Sequence, residues 1–359
     1  MGPEHGQPGS PAFGDGGRPP AIGQHILNPN LNRLEAYPFE RLRALFDAVR
    51  VETELEAIRL SIGEPQHPTP GFIREVLCAS LDGLAVYPAT QGSEELRQAI
   101  ADWIAQRHAI GTPDARHQIL PVNGSREALF AIAQYVVDAS RRDPRVLVPN
   151  PFYQIYEGAA LLAGALPVFL NQLPENGFAL DFSTVPEPMW QGIQLAYVCS
   201  PGNPNGKVVG LEEWRELFEL ADRYDFVIAS DECYSEIYFD DGQPPLGAMK
   251  AAWELGRRDY RRLLVFSSLS KRSNVPGLRS GFVAGDAALL ERFLLYRTYH
   301  GCAMNPAAQK ASAAAWRDES HVAENRRLYR QKFERIAPRL SPYLRFTLPQ
   351  AGFYLWART

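Results

Sequence analysis

The sequence predicts an α/β protein built around a largely parallel β-sheet with helices on both faces. Short β-rich runs alternate with amphipathic segments between about residues 90 and 300. Strands that alternate with helical segments pair in parallel and bury both faces of their sheet. Six apolar runs are typical of such strands and begin at residues 145, 165, 193, 226, 262 and 281: RVLVP, ALPVFL, IQLAYV, FVIAS, RLLVFSS and GFVAG.

The segments between these strands carry apolar residues at helical spacing. Three such faces consist of Leu96, Ile100, Trp103 and Ile104, of Leu129, Ile132, Ala133 and Val136, and of Leu211, Trp214, Phe218 and Ala221. The pattern is helical again from about residue 310, with Val322, Leu328, Tyr329, Phe333 and Ile336. The final stretch, LRFTLPQAGFYLWART, is predicted to form strands of a second, smaller domain.

Length and composition indicate one large domain, one smaller domain and a leader. The 359 residues, 45% of them hydrophobic, suffice for a large core. Residues 1–25 are rich in Gly and Pro and are expected to form a disordered leader. We expect residues 26–70 to form the N-terminal segment of an α+β small domain, residues 71–305 the large domain, and residues 306–359 the C-terminal part of the small domain.

Charge and cysteine content restrict the kind of partner. The net charge is −4, the pI is about 6.0 and no block of basic residues occurs, so neither nucleic acid nor a membrane is an expected partner. No apolar segment approaches the roughly 20 residues that span a bilayer. The four cysteines are widely spaced without a CxxC motif, which is typical of free thiols in a reducing cytoplasm. A small molecule is the expected partner.

The stretch SSLSKRSNVPGLRSGF places Lys271 directly after a predicted strand. A lysine at such a position is usually a solvated surface residue. Here Ser268 precedes it by three residues and Arg279 follows it by eight, beyond the turn-forming NVPG. An arginine fork and a hydroxyl beside one amine suit a phosphate next to a reactive nitrogen. An amine that condenses with an aldehyde beside a phosphate indicates pyridoxal phosphate.

Two further strand ends supply residues that this cofactor would need. Asp231 ends the apolar run FVIAS and is a candidate partner for the ring nitrogen, although it also suits a strand-end turn. Tyr234 and Asn203 are candidates for the phenolic oxygen of the ring. Asn203 lies in SPGNPNGK, which differs from a nucleotide-binding loop in two ways. Three residues, not four, separate its glycines, and Lys207 is followed by Val208 and not by Ser or Thr.

The phosphate would also need backbone donors. VNGSREALF puts Gly124 and Ser125 at the start of a predicted helix, where free N–H groups and the helix dipole attract anions. Many helices begin in this way with a capping serine. Tyr153, in NPFYQIY after the strand RVLVP, is a candidate to stack on the ring or, equally, a core aromatic residue.

Taken together, these stretches resemble the fold type I, class I/II pyridoxal-phosphate aminotransferases, from about residue 28 to the last residue. The resemblance implies a seven-stranded, mostly parallel sheet and a catalytic lysine, Lys271, that binds the cofactor covalently and transfers a proton. It also implies a cofactor contact for each of the following: Ser268, Arg279 and the backbone of Gly124, Ser125 and Arg126 at the phosphate, Tyr153 stacked on the ring, Asp231 at the pyridinium, and Asn203 and Tyr234 at the phenolic oxygen.

The same resemblance implies substrate contacts and a homodimer. SIGEP at residues 61–65 is similar to the loop that closes on the substrate α-carboxylate, with Gly63 and Asn203 at the contact. VYPATQGSEELRQAI is similar to the segment whose tyrosine, here Tyr87, reaches the phosphate of the neighbouring subunit. NPNLNRLEAYPFERLRALF, NPFYQIYEGAALLAGA and LSKRSNVPGLRSGF resemble bacterial N-succinyldiaminopimelate aminotransferases of lysine biosynthesis. This implies amino exchange between N-succinyl-LL-2,6-diaminopimelate and 2-oxoglutarate.

The sequence departs from the family pattern at two points. Cys199 stands where many relatives have an Asn, which removes one polar contact. Relatives carry a carboxylate-binding arginine some tens of residues beyond the AGFYLW strand, whereas Thr359 is the last residue here and Arg358 is too near that strand to replace it. We therefore expect an incomplete C-terminal part and a chain that binds cofactor better than it turns over substrate.

Three alternatives to this transaminase stay open. Another class I/II aminotransferase, of aspartate or aromatic type, would share all the motifs above. A pyridoxal-phosphate lyase would share the fold and the cofactor, since these do not determine which bond at the α-carbon breaks. A binding or regulatory protein with an impaired site is the alternative of another class.

Overall fold

The structure is a computed structural model that describes residues 27–47, 49–50, 52–56, 58 and 63–358. The predicted leader, residues 1–25, lies outside the described residues, as do Ser61 and Ile62 of the SIGEP stretch.

Within this part of the chain, seven strands form one sheet. Their bounds are Ile119–Val122 (β1), Arg145–Asn150 (β2), Leu166–Asn171 (β3), Ile193–Cys199 (β4), Val227–Asp231 (β5), Leu263–Ser268 (β6) and Gly281–Gly285 (β7). The order across the sheet is β1-β7-β6-β5-β4-β2-β3, and β7 alone runs against its neighbours. The expectation of a mostly parallel seven-stranded sheet is thereby confirmed. All six predicted strand runs are strands, and β1 is the seventh.

Helices occupy the connections and cover the sheet. In the described residues they are Pro38–Asp47 (α1), Gly71–Ala79 (α2), Glu94–His108 (α3), Ser125–Val136 (α4), Ile155–Leu162 (α5), Glu187–Trp190 (α6), Leu211–Tyr224 (α7), Ala248–Glu254 (α8), Leu269–Arg272 (α9), Ala287–His300 (α10), Pro306–Arg317 (α11) and Ser320–Leu340 (α12). The three predicted apolar faces lie on α3, α4 and α7 and pack into the core.

The core lies in two layers, one on each face of the sheet. Side chains alternate between the faces along a strand, so Leu263 and Val265 belong to one layer and Leu264 and Phe266 to the other. Residues of α3, α7, α8 and α11 complete the first layer, and residues of α4, α5 and α10 complete the second. Each fully buried large apolar side chain contributes about 1.5–3 kcal/mol, so the sheet is a rigid base for its edge loops.

The C-terminal stretch differs from its prediction. In residues 341–358 isolated bridges join Arg345 to Arg358 and Ala351 to Tyr238, and no strand ladder forms. Pro349 lacks a backbone donor, and the φ of +90° at Gly352 turns the chain out of the extended conformation. The strand prediction for this segment is therefore wrong, whereas the helix predicted before it is α12.

The described residues lack two features, a membrane-spanning helix and a metal-binding cluster. They contain no helix of the length and hydropathy needed to cross a membrane. They also contain no cluster of three His, Cys, Asp or Glu side chains placed to hold a metal ion. The four cysteines are free thiols.

Candidate active site

The candidate site lies at the carboxyl edge of the parallel strands. Asp231 ends β5, Ser268 ends β6, and Gly124 follows β1 at the start of α4. Tyr153 and Asn203 follow β2 and β4. Parallel strands deliver their last residues to the same edge, where α/β proteins bind their ligands. The sheet therefore brings together residues that lie up to 155 positions apart in the chain, from Gly124 to Arg279.

Lys271 lies on the four-residue helix α9, directly beyond β6. Its side chain is half-buried, and its Nζ lies 5.2 Å from the centre of the Tyr234 ring. The neighbouring Arg272 points the other way and is buried against the rings of Trp103 and Trp316, at 5.4 and 4.8 Å. The two adjacent cations thus have different environments, and only the amine faces the carboxyl edge.

Asp231 is a buried carboxylate, 5% exposed. It accepts hydrogen bonds from the Tyr156 hydroxyl at 2.6 Å and from the backbone N–H of Cys233 at 3.2 Å. Among the described residues it forms no ion pair with Lys, Arg or His. A buried carboxylate without a cationic partner is costly, so the site suits a ligand that brings its own positive charge, such as a pyridinium nitrogen.

Sequence reasoning missed Tyr156, the donor to Asp231. Burial raises the pKa of the Tyr156 phenol well above its ordinary value. The hydroxyl therefore stays protonated and acts as a hydrogen-bond donor to Asp231. Its ring stacks on Tyr197 with the centroids 4.5 Å apart. The spacing of three residues from Tyr153, which places both on one side of α5 and its first turn, is the signal that could have found it.

Gly124, Ser125, Ser268 and Arg279 form a candidate anion cradle at the start of α4. Gly124 has a φ of +85°, and a Cβ at this position would collide with the Arg279 guanidinium. Only glycine therefore allows Arg279 to lie across the helix N-terminus, where it also contacts the carbonyl oxygen of Asn123 at 3.4 Å. A cationic fork, two hydroxyls and a helix N-terminus fit a phosphate.

Cys233 connects the two hydroxyls of this cradle and was not among the predicted site residues. Its buried thiol donates to the Ser125 hydroxyl at 2.9 Å and lies 3.5 Å from the Ser268 hydroxyl. Burial raises the pKa of the Cys233 thiol to about 12, so the sulfur stays neutral beside the cradle. A neutral thiol does not repel a bound anion.

Arg126 and Tyr153 line the outer side of the same region. The exposed guanidinium of Arg126 donates to the Tyr37 hydroxyl at 2.8 Å. The group that Arg126 offers to an anion at the start of α4 is therefore its backbone N–H. Tyr153 is half-buried and meets Tyr156 edge-on at 5.8 Å. Burial raises the pKa of Tyr153 to about 12, which leaves a neutral ring available for stacking.

Tyr234 belongs to a chain of hydroxyls that leads to Gly63. The buried Tyr234 hydroxyl lies 3.1 Å from that of Tyr354, which in turn donates to the Gly63 carbonyl oxygen at 3.5 Å. A Cβ on Gly63 would collide with the Tyr354 ring. Tyr354, in the stretch AGFYLW, was not among the predicted site residues.

The remaining predicted residues occupy distinct places. Asn203 is half-buried in a turn, and its side-chain amide makes no hydrogen bond with the described residues, which leaves it available to a ligand. Cys199 is half-buried, and its thiol contacts the Pro201 carbonyl oxygen at 3.4 Å. Tyr87 is fully exposed at 102% and is not brought to the other site residues by contacts within one chain.

A sheet of this order, with a lysine, an unpaired buried carboxylate and an anion cradle at one edge, defines a fold type I pyridoxal-phosphate enzyme. The profile of the family described as Aminotransferase class I and II matches residues 56–359. The chain belongs to this family, whose cofactor is pyridoxal 5'-phosphate, and it is accordingly a transaminase that acts on amino and oxo acids.

Similar proteins agree with this assignment. An aminotransferase structure from Neisseria meningitidis Z2491 is 53% identical, with a TM-score of 0.89 over 93% of this chain and 84% of that one. The aminotransferase AspB of Helicobacter pylori 26695 is 37% identical, with a TM-score of 0.82 over 90% and 83%. The LL-diaminopimelate aminotransferase of Dehalococcoides mccartyi is 30% identical over 338 residues, 92% of this chain and 84% of the relative.

Proposed function

We propose that Lys271 is the residue joined to pyridoxal phosphate and that it transfers the proton in transamination. The observation that supports this most is the unpaired, buried Asp231 at the same sheet edge as a half-buried lysine. A structural lysine or aspartate at a strand end would be expected to pair with an opposite charge or to reach solvent. Asp231 does neither among the described residues, since its hydrogen-bond partners are a phenol and a backbone N–H.

Each remaining site residue has a place around the cofactor in this proposal. Ser268, Arg279 and the backbone of Gly124, Ser125 and Arg126 would hold the phosphate. Asp231 would hold the ring nitrogen, Tyr153 the ring face, and Asn203 and Tyr234 the phenolic oxygen. When bound, the cofactor supplies an electron sink that makes the substrate α-proton acidic.

Three residues of the protein, Asp231, Lys271 and Gly63, each have one role in this proposal. Asp231 would accept a hydrogen bond from the protonated ring nitrogen in an environment shielded from water. Lys271 Nζ, when it is not itself joined to the cofactor, would be the base that accepts the proton from the substrate α-carbon and the acid that gives a proton back. Gly63, whose carbonyl oxygen is held by Tyr354, is proposed to contact the substrate α-carboxylate together with Asn203.

We propose N-succinyl-LL-2,6-diaminopimelate as amino donor, with 2-oxoglutarate as acceptor, as part of lysine biosynthesis. Three segments of the chain resemble enzymes of that step. LL-Diaminopimelate itself is the second candidate, because several relatives that are 28–31% identical bear the name LL-diaminopimelate aminotransferase. A cytoplasmic location and a homodimer that shares Tyr87 between subunits belong to the same proposal.

Reduction of the cofactor-loaded protein with borohydride, followed by peptide mass mapping, tests the role of Lys271. We expect the pyridoxyl adduct on Lys271, and we expect Lys271→Ala to lower amino transfer from L-glutamate at least ~10³-fold. Lys250→Ala is the matched control, because Lys250 forms only a surface ion pair with Glu254. An unmodified Lys271 in fully reduced protein would overturn the proposal.

Half-reactions test the substrate. The loaded protein is mixed with N-succinyl-LL-2,6-diaminopimelate, LL-diaminopimelate, L-glutamate or L-aspartate, and conversion of the cofactor to its amine form is followed by absorbance. We expect the succinylated donor to react fastest. A faster reaction with LL-diaminopimelate would favour the second candidate, and release of ammonia or pyruvate would indicate a lyase.

A further inference from the structure

Asn325, on α12, is a buried amide whose hydrogen-bonding groups are all used. It is 2% exposed. Its Nδ2 donates to the carbonyl oxygens of Lys271 and Arg272, at 3.1 and 3.4 Å. Its Oδ1 accepts from the Asn274 amide at 2.9 Å and contacts Nδ1 of His67 at 2.8 Å. Asn325 therefore touches the backbone of Lys271 itself.

The partners determine the orientation of this amide. Carbonyl oxygens only accept, so the NH₂ group of Asn325 must face Lys271 and Arg272. Its oxygen then faces His67, whose Nδ1 must carry a hydrogen in order to donate. Burial lowers the pKa of His67, so the ring is neutral with its proton on Nδ1.

The backbone around Lys271 needs such support. Helix α9 has only four residues, and the hydrogen bond from Ser273 N–H to the Leu269 carbonyl oxygen, at 2.9 Å, lies at its C-terminal end. A single turn is unfavourable on its own because several dihedral angles are fixed for one bond. Two donations from a buried side chain on another helix supply the missing restraint.

The same amide reaches the segment next to the proposed substrate contact. His67 lies four residues beyond Gly63, and its ring packs on Tyr329 of α12 at 4.5 Å. Three parts of the chain therefore meet at one side chain: α12, the segment that contains Gly63 and His67, and the turn that carries Lys271.

We propose that Asn325 is a positioning residue that fixes the backbone of Lys271 and ties it to the segment containing Gly63. This inference rests on the function proposed above for Lys271. A displacement of about 1 Å at a reacting group can lower a rate ~10²-fold, so loss of the two donations is expected to reduce kcat while KM changes little.

Two variants separate positioning from bulk stability. Asn325→Ala removes all four contacts. Asn325→Asp keeps both acceptances and loses both donations to Lys271 and Arg272. Gln194→Ala is the matched control: Gln194 is also a buried bridging amide, bonded to the backbone N–H and carbonyl oxygen of Asp138 at 2.8 and 3.1 Å. It lies at the start of β4, at the opposite edge of the sheet.

Three measurements are made on each variant. They are kcat and KM with L-glutamate, the visible circular dichroism of the bound cofactor, and hydrogen exchange of the peptide around residues 269–275 in cofactor-free protein. We expect both Asn325 variants to lower kcat about 10- to 100-fold, to change the dichroism and to speed exchange in that peptide. Gln194→Ala is expected to lower the melting temperature and to change none of the three.

Unchanged kcat, dichroism and exchange in the Asn325 variants would overturn the inference. If Asn325→Ala does not fold, the comparison of Asn325→Asp with Gln194→Ala decides. Borohydride mapping of the wild-type protein distinguishes the two failures: a labelled Lys271 with unaffected Asn325 variants refutes only the positioning role, whereas an unlabelled Lys271 refutes the function beneath it.

Discussion

The Tyr156 hydroxyl is a buried polar group that contacts a proposed cofactor residue, Asp231. It donates to Asp231 at 2.6 Å, and among the described residues one further donor reaches that carboxylate, the backbone N–H of Cys233 at 3.2 Å. Removing one partner from a buried, charged hydrogen bond leaves the other incompletely satisfied. The position of the carboxylate thus depends on a residue outside the proposed set of cofactor contacts.

Tyr156→Phe is expected to lower the free energy of unfolding by about 1.5–3 kcal/mol and kcat by ~10-fold or more, because Asp231 loses a charge-assisted bond. Urea unfolding and steady-state kinetics measure the two effects. Tyr224→Phe is the control, since the hydroxyl of Tyr224 bonds only to the exposed Glu187. Wild-type kcat in Tyr156→Phe would show that Asp231 does not need this donor.

Glu232, next to Asp231, is a buried carboxyl that points away from the site. It accepts from the Ser230 hydroxyl at 3.0 Å and from the Ala248 N–H at 2.7 Å, and it lies beside His108 across Gly247. Burial raises the pKa of Glu232 to about 7 and lowers that of His108 to about 3. Both side chains therefore favour their neutral forms in the folded protein.

Replacement of Glu232 by Gln is expected to change how stability depends on pH. A carboxyl whose folded pKa is raised contributes stability that is complete below pH 4.5 and is lost as pH rises through about 7. The amide cannot ionise, so the stability of Glu232→Gln relative to wild type should rise by on the order of 2 kcal/mol between pH 5 and pH 8. His108 titrates in both proteins and cancels. Urea unfolding at the two pH values measures the difference, and a constant difference would contradict the raised pKa.

At the residue scale, sequence reasoning found residues whose position follows from the strands. Lys271, Asp231 and Ser268 come directly after apolar runs, and the edge of a parallel sheet brings such positions together.

Sequence reasoning missed Tyr156, Tyr354, Cys233 and Asn325, because each acts through a tertiary contact that no local pattern encodes. Tyr87 was predicted from the resemblance alone and is fully exposed in the single chain.

At the scale of elements, one partly buried ion pair supports the start of α4. Arg297 of α10 is fully buried and donates twice to Glu127, at 2.7 and 2.9 Å. The same carboxylate accepts from the Asn123 N–H at 2.9 Å, one residue before Gly124. The pair thereby links α10 to the turn that precedes the candidate phosphate cradle, and the guanidinium offsets the negative charge close to an anion site.

Arg297→Met is expected to destabilise the protein by about 3 kcal/mol, because it leaves the partly buried Glu127 without its cation. We also expect a several-fold loss of affinity for inorganic phosphate in cofactor-free protein, measured by calorimetry. Arg215→Met serves as control, since the exposed pair of Arg215 with Glu212 contributes at most about 1 kcal/mol. Unchanged phosphate affinity in Arg297→Met would show that the pair stabilises the fold without shaping the cradle.

The elements were predictable where periodicity is long and uninterrupted. Helices α3, α4 and α7 present several apolar residues at regular spacing, and all three were predicted. Strand β1 has four residues including Pro121, too few to give a pattern, and it becomes a strand because it pairs with β7. For the C-terminal stretch the error is the reverse, because strands are predicted there and the structure has none. Its alternating residues are interrupted by Pro349 and Gly352.

For the whole molecule, an exposed apolar segment supports the proposed homodimer. Leu81, Leu84 and Val86 are 50–69% exposed and directly precede Tyr87. Contiguous exposed apolar residues are typical of interaction surfaces. If a second copy covers this segment, Tyr87 leaves solvent and can approach the partner subunit.

Sedimentation velocity is expected to show a dimer at micromolar concentration. Tyr87→Phe should stay dimeric and bind pyridoxal phosphate ~10-fold more weakly, because a hydroxyl bonded to a charged phosphate contributes about 1.5–3 kcal/mol. Val86→Asp should weaken association by placing a charge in the interface. A monomer in solution, or unchanged cofactor affinity in Tyr87→Phe, would contradict the shared site.

Because Lys271 and Arg272 have opposite environments, the proposed chemistry is sensitive to an insertion or deletion directly before Lys271. Each residue advances a helix by about 100°, so one inserted or deleted residue between Ser268 and Lys271 would rotate α9 by that angle. A deletion would place the guanidinium where the Lys271 amine now lies, and an insertion would instead turn the amine toward the indole rings of Trp103 and Trp316. A guanidinium cannot lose its proton in a protein, so it could not replace the amine. A one-residue change of length at this point would therefore end activity, although the amino-acid composition of the turn would hardly change.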